Sequence, residues 1–168
     1  MDSDTSENIA QGGEGAEHES SLTGEGDWSD MAETNEPKSL GFLQMCIERR
    51  FHQAVQQRFQ EVTGLKPTEY WIHTGVGGSP NMKDEHEAPD YCKKEGAKVM
   101  GWSAHGSKCG GLPGHSDDEI LRLLRGTLRK KVARYQGLTH HAFFATEGKK
   151  PGDVKIWHLE ASPGTEGE

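Results

Sequence analysis

Residues Met100–Gly114 of the 168-residue chain read MGWSAHGSKCGGLPG. The apolar run KVMGW leads into this stretch, which places His105 and Cys109 four positions apart among five glycines. A buried strand that ends in a glycine-rich turn has this pattern. Packing cores rarely need an imidazole and a thiol in such a turn, whereas metal sites and reactive thiols do. The stretch therefore predicts a strand that delivers two candidate metal ligands to a loop.

The sequence before this stretch predicts two further strands and two helices. An apolar run becomes polar at Cys46, and apolar residues at helical spacing follow until Gly64, a residue typical of helix ends. A second short strand, Glu69–His73, runs into a glycine-rich turn. The polar stretch Ser79–Asp90 predicts a loop, and the segment PDYCKKEGA (residues 89–97) predicts a short helix.

The sequence after this stretch predicts one long helix and a pair of strands. Ser116 and Glu119 have the spacing of a capping box. An apolar stripe follows at helical spacing, formed by Ile120, Leu121, Leu124, Leu128 and Val132. The segments LTHHAFFATEG and DVKIWHLEA predict two strands joined by a turn over residues 148–152. Strands that alternate with helices indicate the α/β class, with a mainly parallel central sheet flanked by helices.

Ligand-binding residues of such sheets lie beyond the carboxyl ends of the strands, so Cys46, His105 and Cys109 are expected to meet there. Two thiolates and one imidazole form the ligand set of a catalytic zinc site with one position open for water. Glu48 and Arg50 lie in the turn after Cys46 and can form an ion pair that fixes the direction of the carboxylate. The residues therefore predict a zinc centre with an oriented carboxylate beside it.

Two segments resemble motifs of the β-class carbonic anhydrases. CIERR (residues 46–50) resembles their C-x-D-x-R motif, and GWSAHGSKCGG (residues 101–111) resembles their strand followed by G-H-x-x-C-G. The turn IHTGVGG stands where that family carries an R-N-A-G turn, and the resemblance extends over residues 40–159 in the family's order. It implies a β-carbonic-anhydrase-like fold in which Cys46, His105 and Cys109 hold the zinc ion.

The resemblance also implies a function. It implies a zinc-dependent lyase that interconverts CO2 and bicarbonate through a zinc-bound hydroxide, which Glu48 orients while Arg50 holds Glu48. It further implies a homodimer. The residues themselves argue against two other partners: aromatic residues do not interleave with the basic run of residues 129–135 as in a nucleic-acid patch, and no stretch approaches the roughly 20 apolar residues of a membrane span.

This sequence departs from the family at three points. An acidic tail stands where the family has N-terminal helices that wrap a partner, so a dimer of this chain would be built differently. Glu48 is one methylene longer than the family's Asp, and His105 and Cys109 are four residues apart rather than three, so the turn must bulge at Gly106 or Ser107.

The charge of the chain is distributed unevenly. Residues 1–37 contain 11 of the 27 acidic residues and neither Lys nor Arg, whereas the rest of the chain is slightly basic. Because residues 1–37 also contain few large apolar side chains, we expect a disordered acidic tail there. A zinc-binding α/β domain over residues 38–160 and a flexible tail over residues 161–168 complete the predicted organisation. Three cysteines, no signal-peptide pattern and no membrane-spanning run indicate free thiols in the cytoplasm.

Several alternatives stay open at this point. The same site could hydrolyse a related linear molecule such as CS2 or COS, or the chain could be a catalytically weak, zinc-stabilised interaction module. A redox role for the two thiols is a further option. Cys92 is expected on a helix face away from the site, and the adjacent His140 and His141 point to opposite sides of a strand. The basic run RKKVARY (residues 129–135) is expected to be a solvated helix face.

Overall fold

The computed structural model describes residues 40–161, which form a single α/β sheet structure. The predicted acidic tail of residues 1–37 and all but the first residue of the predicted C-terminal tail lie outside the described residues. Within residues 40–161 the elements are, in chain order, β1 (Gly41–Cys46), a 3-10 turn (Arg49–Phe51), α1 (His52–Thr63), β2 (Tyr70–Gly75), α2 (Glu87–Lys94), β3 (Val99–His105), α3 (Asp117–Arg134), β4 (Thr139–Glu147) and β5 (Val154–Ala161).

The sheet has the strand order β2-β1-β3-β4-β5. The first four strands are parallel, and β5 runs antiparallel to β4. The predicted mainly parallel sheet is therefore confirmed, together with the closing strand pair. Cys46 ends β1 opposite Gly75 of β2, and His105 ends β3 opposite Ala145 of β4. The carboxyl ends of the central strands thus form one edge, as expected for βαβ connections.

Two apolar layers cover the sheet, because alternate residues of each strand point to opposite faces. On one face α1 packs through Val55 and Phe59 against a layer that includes Leu43 and Phe143. On the other face α3 covers the layer that contains Trp102, through Ile120, Leu124 and Leu128. Because both faces carry helices, the inner strand β1 is buried along its whole length.

The helix ends follow the predicted signals. Gly64 closes α1 with φ 74°, a left-handed conformation that costs glycine least. Ser116 and Glu119 form the predicted capping box at the start of α3. Three boundaries differ from the prediction. His105, expected in a loop, is the last residue of β3. The second strand extends to Gly75, and α2 begins at Glu87, inside the stretch predicted as a loop, and ends at Lys94. None of the helices within residues 40–161 combines the length and apolar character needed to cross a bilayer.

The basic run at the end of α3 is only partly solvated, contrary to expectation. Lys131 is 1% exposed, and its Nζ donates to the Lys83 carbonyl oxygen at 3.2 Å and lies 5.0 Å from the Trp102 ring centre. Helical periodicity explains this placement, since Lys131 lies three and seven residues after the buried Leu128 and Leu124. Arg129, Lys130 and Arg134 are exposed as predicted.

The two adjacent histidines of β4 lie on opposite faces of the sheet, as expected. His140 accepts a hydrogen bond from Trp102 Nε1 at its Nδ1 (3.1 Å) and donates from Nε2 to the Tyr135 carbonyl oxygen (2.9 Å). His141 lies beside His158 of β5, with 2.7 Å between His141 Nδ1 and His158 Nε2. Both histidines of β4 are buried and satisfied within the core.

Candidate metal centre

Three metal-ligating side chains converge at the carboxyl edge of the sheet. One ligand atom from each of Cys46, His105 and Cys109 lies within 4.8 Å of the others, and the two sulfur atoms are 4.0 Å apart. All three side chains are buried. Cys92, the remaining cysteine, is buried on α2 and is not part of this group. The structure therefore brings together the three residues that the sequence analysis selected as candidate ligands.

His105 presents one ring nitrogen without a partner. Its Nδ1 donates to the Gly106 carbonyl oxygen at 2.8 Å, and this bond selects the tautomer that leaves a lone pair on Nε2. Nε2 is buried and has no hydrogen-bond partner among the described residues. Buried polar atoms are almost always paired, so an unpaired imidazole nitrogen beside two thiols fits the position of a metal ligand.

The donor set fits zinc. Two thiolates on a tetrahedral zinc ion lie about 3.7 Å apart, because each Zn–S bond is about 2.3 Å. The 4.0 Å separation of the Cys46 and Cys109 sulfurs needs only a small contraction. The carbonyl that fixes His105 Nδ1 is also the kind of outer partner that orients metal-binding histidines. Residues Cys46, His105 and Cys109 could therefore bind a metal of this type.

The loop between His105 and Cys109 contains the predicted bulge, shifted by one residue. Ser107 and Lys108 adopt left-handed φ angles of 53° and 68°, whereas the sequence analysis placed the irregularity at Gly106 or Ser107. Gly106, just beyond the end of β3, still pairs with β4, since its N–H donates to the Ala145 carbonyl oxygen at 2.8 Å. Left-handed residues other than glycine cost about 1–2 kcal/mol each. The extra residue is therefore accommodated by backbone strain at two consecutive positions.

The glycine turn after β2 packs directly on the ends of β1 and β3. A Cβ on Gly78 would lie 2.5 Å from the Ser103 carbonyl oxygen, and its φ of 68° also favours glycine. The next residue, Ser79, donates its N–H to the same carbonyl at 2.9 Å. This contact brings the Gly77 N–H to the Cys46 sulfur. The sequence analysis predicted a glycine-rich turn after the second strand but missed its role as a donor to the thiolate.

A second residue that the sequence analysis missed is His52, the first residue of α1. Its Nε2 donates to the Cys46 carbonyl oxygen at 2.7 Å. This bond fixes the backbone of the candidate ligand where β1 ends. The six-residue spacing between Cys46 and His52 would predict this contact only if it were already known that the chain turns back at the 3-10 segment.

The thiols of the group differ in acidity from an isolated buried thiol. Burial raises the pKa of Cys46. The adjacent His105 imidazole and the N–H groups of Glu48 and Gly77 lower it by more than burial raises it, so that the pKa is about 7. Burial and the neighbouring Cys46 raise the pKa of Cys109. For comparison, burial alone raises the pKa of Cys92 to about 11. Cys46 is therefore poised to be the thiolate that a metal requires.

Glu48 and Arg50 form the ion pair that the sequence predicted. Arg50 Nε lies 3.3 Å from Glu48 Oε1, and the Arg50 backbone N–H donates to the same oxygen at 3.1 Å. Both contacts lower the pKa of Glu48, the backbone bond most. Arg50 also contacts Glu147 Oε1 through Nη1 (2.8 Å) and the Ser107 carbonyl oxygen through Nη2 (3.4 Å). The guanidinium therefore joins the turn after β1, the loop after β3 and the end of β4 at the sheet edge.

Two cavities adjoin the candidate centre. The smaller one, of about 10 Å3, is lined by Cys46, His105, Glu48 and Phe51, together with residues of β1, α1 and β3. The larger one, of about 580 Å3, lies between Arg50 and the β4–β5 turn, residues 147–154. Ten cubic ångströms is about the lower limit for one water molecule. The space beside the candidate ligands is therefore just large enough for a water.

Of the comparisons with known proteins, a structural one bears on the fold. No protein-family model matches the sequence, and no curated protein matches it as a relative. The structure is similar to the crystal structure of β-carbonic anhydrase isoform I from the protozoan Trichomonas vaginalis, with a TM-score of 0.50 and 11% sequence identity over 90% of this chain and 97% of that chain. A carbonic anhydrase structure from Streptococcus mutans matches with a TM-score of 0.38 and 12% identity, over 88% and 96% of the two chains. At this identity the likeness confirms the predicted β-carbonic-anhydrase-like fold and carries no further conclusion.

Proposed function

We propose that this chain is a zinc-dependent carbonic anhydrase that interconverts CO2 and bicarbonate. The observation that carries the proposal is the convergence of Cys46, His105 and Cys109 at the end of two neighbouring strands, with His105 Nε2 left without a partner. The likeness to β-carbonic anhydrase isoform I supports it at the level of fold. In this proposal Cys46, His105 and Cys109 hold the zinc ion.

Zinc bound to this ligand set would supply a Lewis acid that lowers the pKa of a water molecule in the open fourth position. Glu48 lines the small cavity beside Cys46 and His105, so its carboxylate can accept a hydrogen bond from a water there. A hydrogen bond of this kind fixes which lone pair of the water oxygen faces a substrate. Glu48 is thus the orienting residue of the proposed reaction.

Arg50 keeps Glu48 in the form that this role requires. The backbone N–H and the guanidinium of Arg50 both favour the ionised carboxylate, so the pKa of Glu48 is lowered. An ionised Glu48 accepts hydrogen bonds and donates none, which fixes the orientation of the water. The longer side chain of Glu, compared with Asp, is accommodated because its Oε1 folds back onto the Arg50 N–H.

The decisive experiment combines zinc content with a CO2 hydration assay on the purified full-length chain. We expect about one zinc per chain and measurable hydration by stopped flow. Cys109→Ala should lose both, because it removes one of three protein ligands. Cys92→Ala is the matched control, since Cys92 is equally buried but lies on α2, outside the ligand group. It should retain zinc and activity.

Two outcomes would contradict the proposal. Full hydration activity in Cys109→Ala would show that the three-residue group does not carry the reaction. Stoichiometric zinc in the wild-type chain without turnover would favour the zinc-stabilised interaction module. Turnover of CS2 or COS in the absence of CO2 hydration would assign the site to the related hydrolase.

A further inference from the structure

Phe51 separates the two cavities at the candidate centre. Of the described residues, Phe51 alone lines both the small cavity beside Cys46 and His105 and the larger cavity below the β4–β5 turn. Its side chain is 3% exposed, and its ring centre lies 4.8 Å from that of His105. The ring therefore forms the wall between the interior of the site and a space that opens to solvent.

The inner cavity is too small to admit a substrate unless one of its walls moves. Its volume of about 10 Å3 is at the limit for a single water, and CO2, with three heavy atoms, needs more room. A substrate that reaches the ligand group must therefore displace a side chain that lines the cavity. Glu48 also lines the cavity, but its carboxylate is held by the Arg50 backbone N–H and guanidinium. The remaining lining residues belong to the buried strands β1 and β3, which carry Cys46 and His105, or to α1, which packs on the sheet. Phe51 lies in the short 3-10 turn that connects β1 to α1.

The outer face of Phe51 carries charged side chains. The Arg50 guanidinium lies 5.0 Å from the Phe51 ring centre, and Arg50, Lys149 and Lys150 all line the larger cavity. Glu147 and Asp153 line it too, so the surplus of positive charge is small. An anion such as bicarbonate leaving past Phe51 would meet Arg50 first, at the rim of this cavity.

We propose that Phe51 is the gate of the proposed active site and sets the size of the molecules that reach Cys46, His105 and Cys109 through the cavity between Arg50 and the β4–β5 turn. This inference rests on the proposed function for the identity of the substrate. The passage itself is a property of the fold and can be tested without turnover. Phe51 acts here as a specificity-determining residue.

The test measures alkylation of individual cysteines in the purified full-length chain by iodoacetamide, followed by mass spectrometry. Zinc content is determined in the same samples, so that wild type and variants are compared at equal zinc occupancy. Phe51→Ala should raise the alkylation rate of Cys46 and Cys109 by roughly tenfold, because labelling of a buried thiol reports how often its surroundings open. Cys92 serves as an internal control for global unfolding and should not change. A bulky maleimide should show a larger rise than iodoacetamide, because the wild-type gate excludes it more strongly.

Phe59→Ala is the matched control variant. Phe59 is a fully buried phenylalanine in the same α1 layer but lines neither cavity. It should lower stability without selective labelling of Cys46 and Cys109. If Phe51→Ala does not fold, Phe51→Leu provides the smaller opening and a rise of roughly threefold is expected.

Equal labelling of Cys46 and Cys109 in wild type and in the Phe51 variants would overturn the proposal that Phe51 is a gate. An equal rise in Phe59→Ala would overturn it as well, since the effect would then reflect loosened packing. Selective labelling without CO2 hydration would support the gate and contradict the proposed function. The two proposals therefore fail independently.

Discussion

Arg50 Nη1 lies 2.8 Å from Glu147 Oε1, so the guanidinium is shared between Glu147 at the end of β4 and Glu48 after β1. The sequence suggests Glu48 alone as the partner of Arg50. The second carboxylate changes the role of the pair, because Arg50 now has contacts on two sides and is held in one orientation. The backbone N–H of Glu147 donates in turn to Ser107 Oγ at 3.0 Å, which ties this acid to the loop that carries Cys109.

We predict that Glu147→Ala lowers kcat/KM for CO2 hydration by roughly threefold to tenfold, because a small misplacement of an orienting group has effects of this order or larger. The free energy of unfolding should fall by less than about 1 kcal/mol, since the pair is exposed. Glu147→Gln should restore most of the activity, because its amide oxygen still accepts from Arg50. Stopped-flow hydration and urea unfolding measure the two effects.

Glu61→Ala is the control for this prediction. Glu61 forms an exposed ion pair with Arg58 on α1, at 2.9 Å, and lines neither cavity. Glu61→Ala should change neither kcat/KM nor the free energy of unfolding. Unchanged kcat/KM in Glu147→Ala would show that Glu48 alone is enough to position Arg50.

Lys108 is the second left-handed residue of the bulged loop and is exposed. Lys108→Gly should raise the free energy of unfolding by up to about 1 kcal/mol, because glycine adopts positive φ without the steric cost. Lys108→Val should lower it by about 1–2 kcal/mol, since a β-branched residue is disfavoured in this conformation. The midpoints of urea unfolding show the order of stability of the wild type and the two variants. Equal midpoints for the Gly and Val variants would show that the loop carries no strain at this position.

The convergence of the candidate ligands could be predicted because it depends only on where β1 and β3 end and on their being parallel. Periodicity placed Cys46 and His105 at or near strand ends, and the rule for parallel sheets brings such ends to one edge. The contacts of His52, Gly77 and Glu147 could not be predicted in the same way. They depend on the exact path of each loop, and the residue types involved are ordinary in exposed turns.

The burial of Lys131 shows the other limit of sequence reasoning. A basic run reads as solvated because charged groups are rarely buried. Its helical phase nevertheless places Lys131 on the face of Leu124 and Leu128, and the Trp102 ring and the Lys83 carbonyl then partner its ammonium group. The cavities around Phe51 are likewise features of packing that no local pattern encodes.

Lys131→Met is therefore expected to raise the free energy of unfolding at pH 7 by about 1 kcal/mol, because an apolar chain of similar size avoids the desolvation of a buried charge. Burial lowers the pKa of Lys131, so the unfolded chain binds its proton more tightly than the folded chain. The wild type should then gain stability relative to the variant as the pH rises through the lowered pKa towards 10. Urea unfolding at pH 7 and pH 10 measures this difference.

The exposed neighbour Lys130 offers the control, since Lys130→Met should change the free energy of unfolding by less than about 0.5 kcal/mol at either pH. A Lys131→Met variant that is less stable than the wild type at pH 7 would contradict the prediction. It would mean that the contacts with Trp102 and Lys83 outweigh the cost of burying the charge.

The paired histidines of β4 and β5 predict a loss of stability in acid. Burial, with a smaller contribution from His158, lowers the pKa of His141 to about 4, and burial also lowers the pKa of His158. Arg58 of α1 disfavours the protonated form of His158, while Glu160 favours it. The unfolded chain, with an ordinary histidine pKa of about 6.5, therefore binds more protons than the folded chain between pH 6.5 and 4. Protonation then favours unfolding, so stability falls as the pH falls through this window.

His141→Gln should remove much of this pH dependence, because glutamine keeps a hydrogen-bonding group next to His158 but does not titrate. Between pH 7 and 4.5 the wild type should lose about 2–3 kcal/mol more free energy of unfolding than the variant, as expected for a depressed histidine pKa. Urea unfolding of both proteins at the two pH values gives the difference, in which acid effects on the candidate metal centre cancel. The exposed His115→Gln serves as the control and should follow the wild type. Parallel losses in His141→Gln and the wild type would show that the buried histidine pair does not govern acid stability.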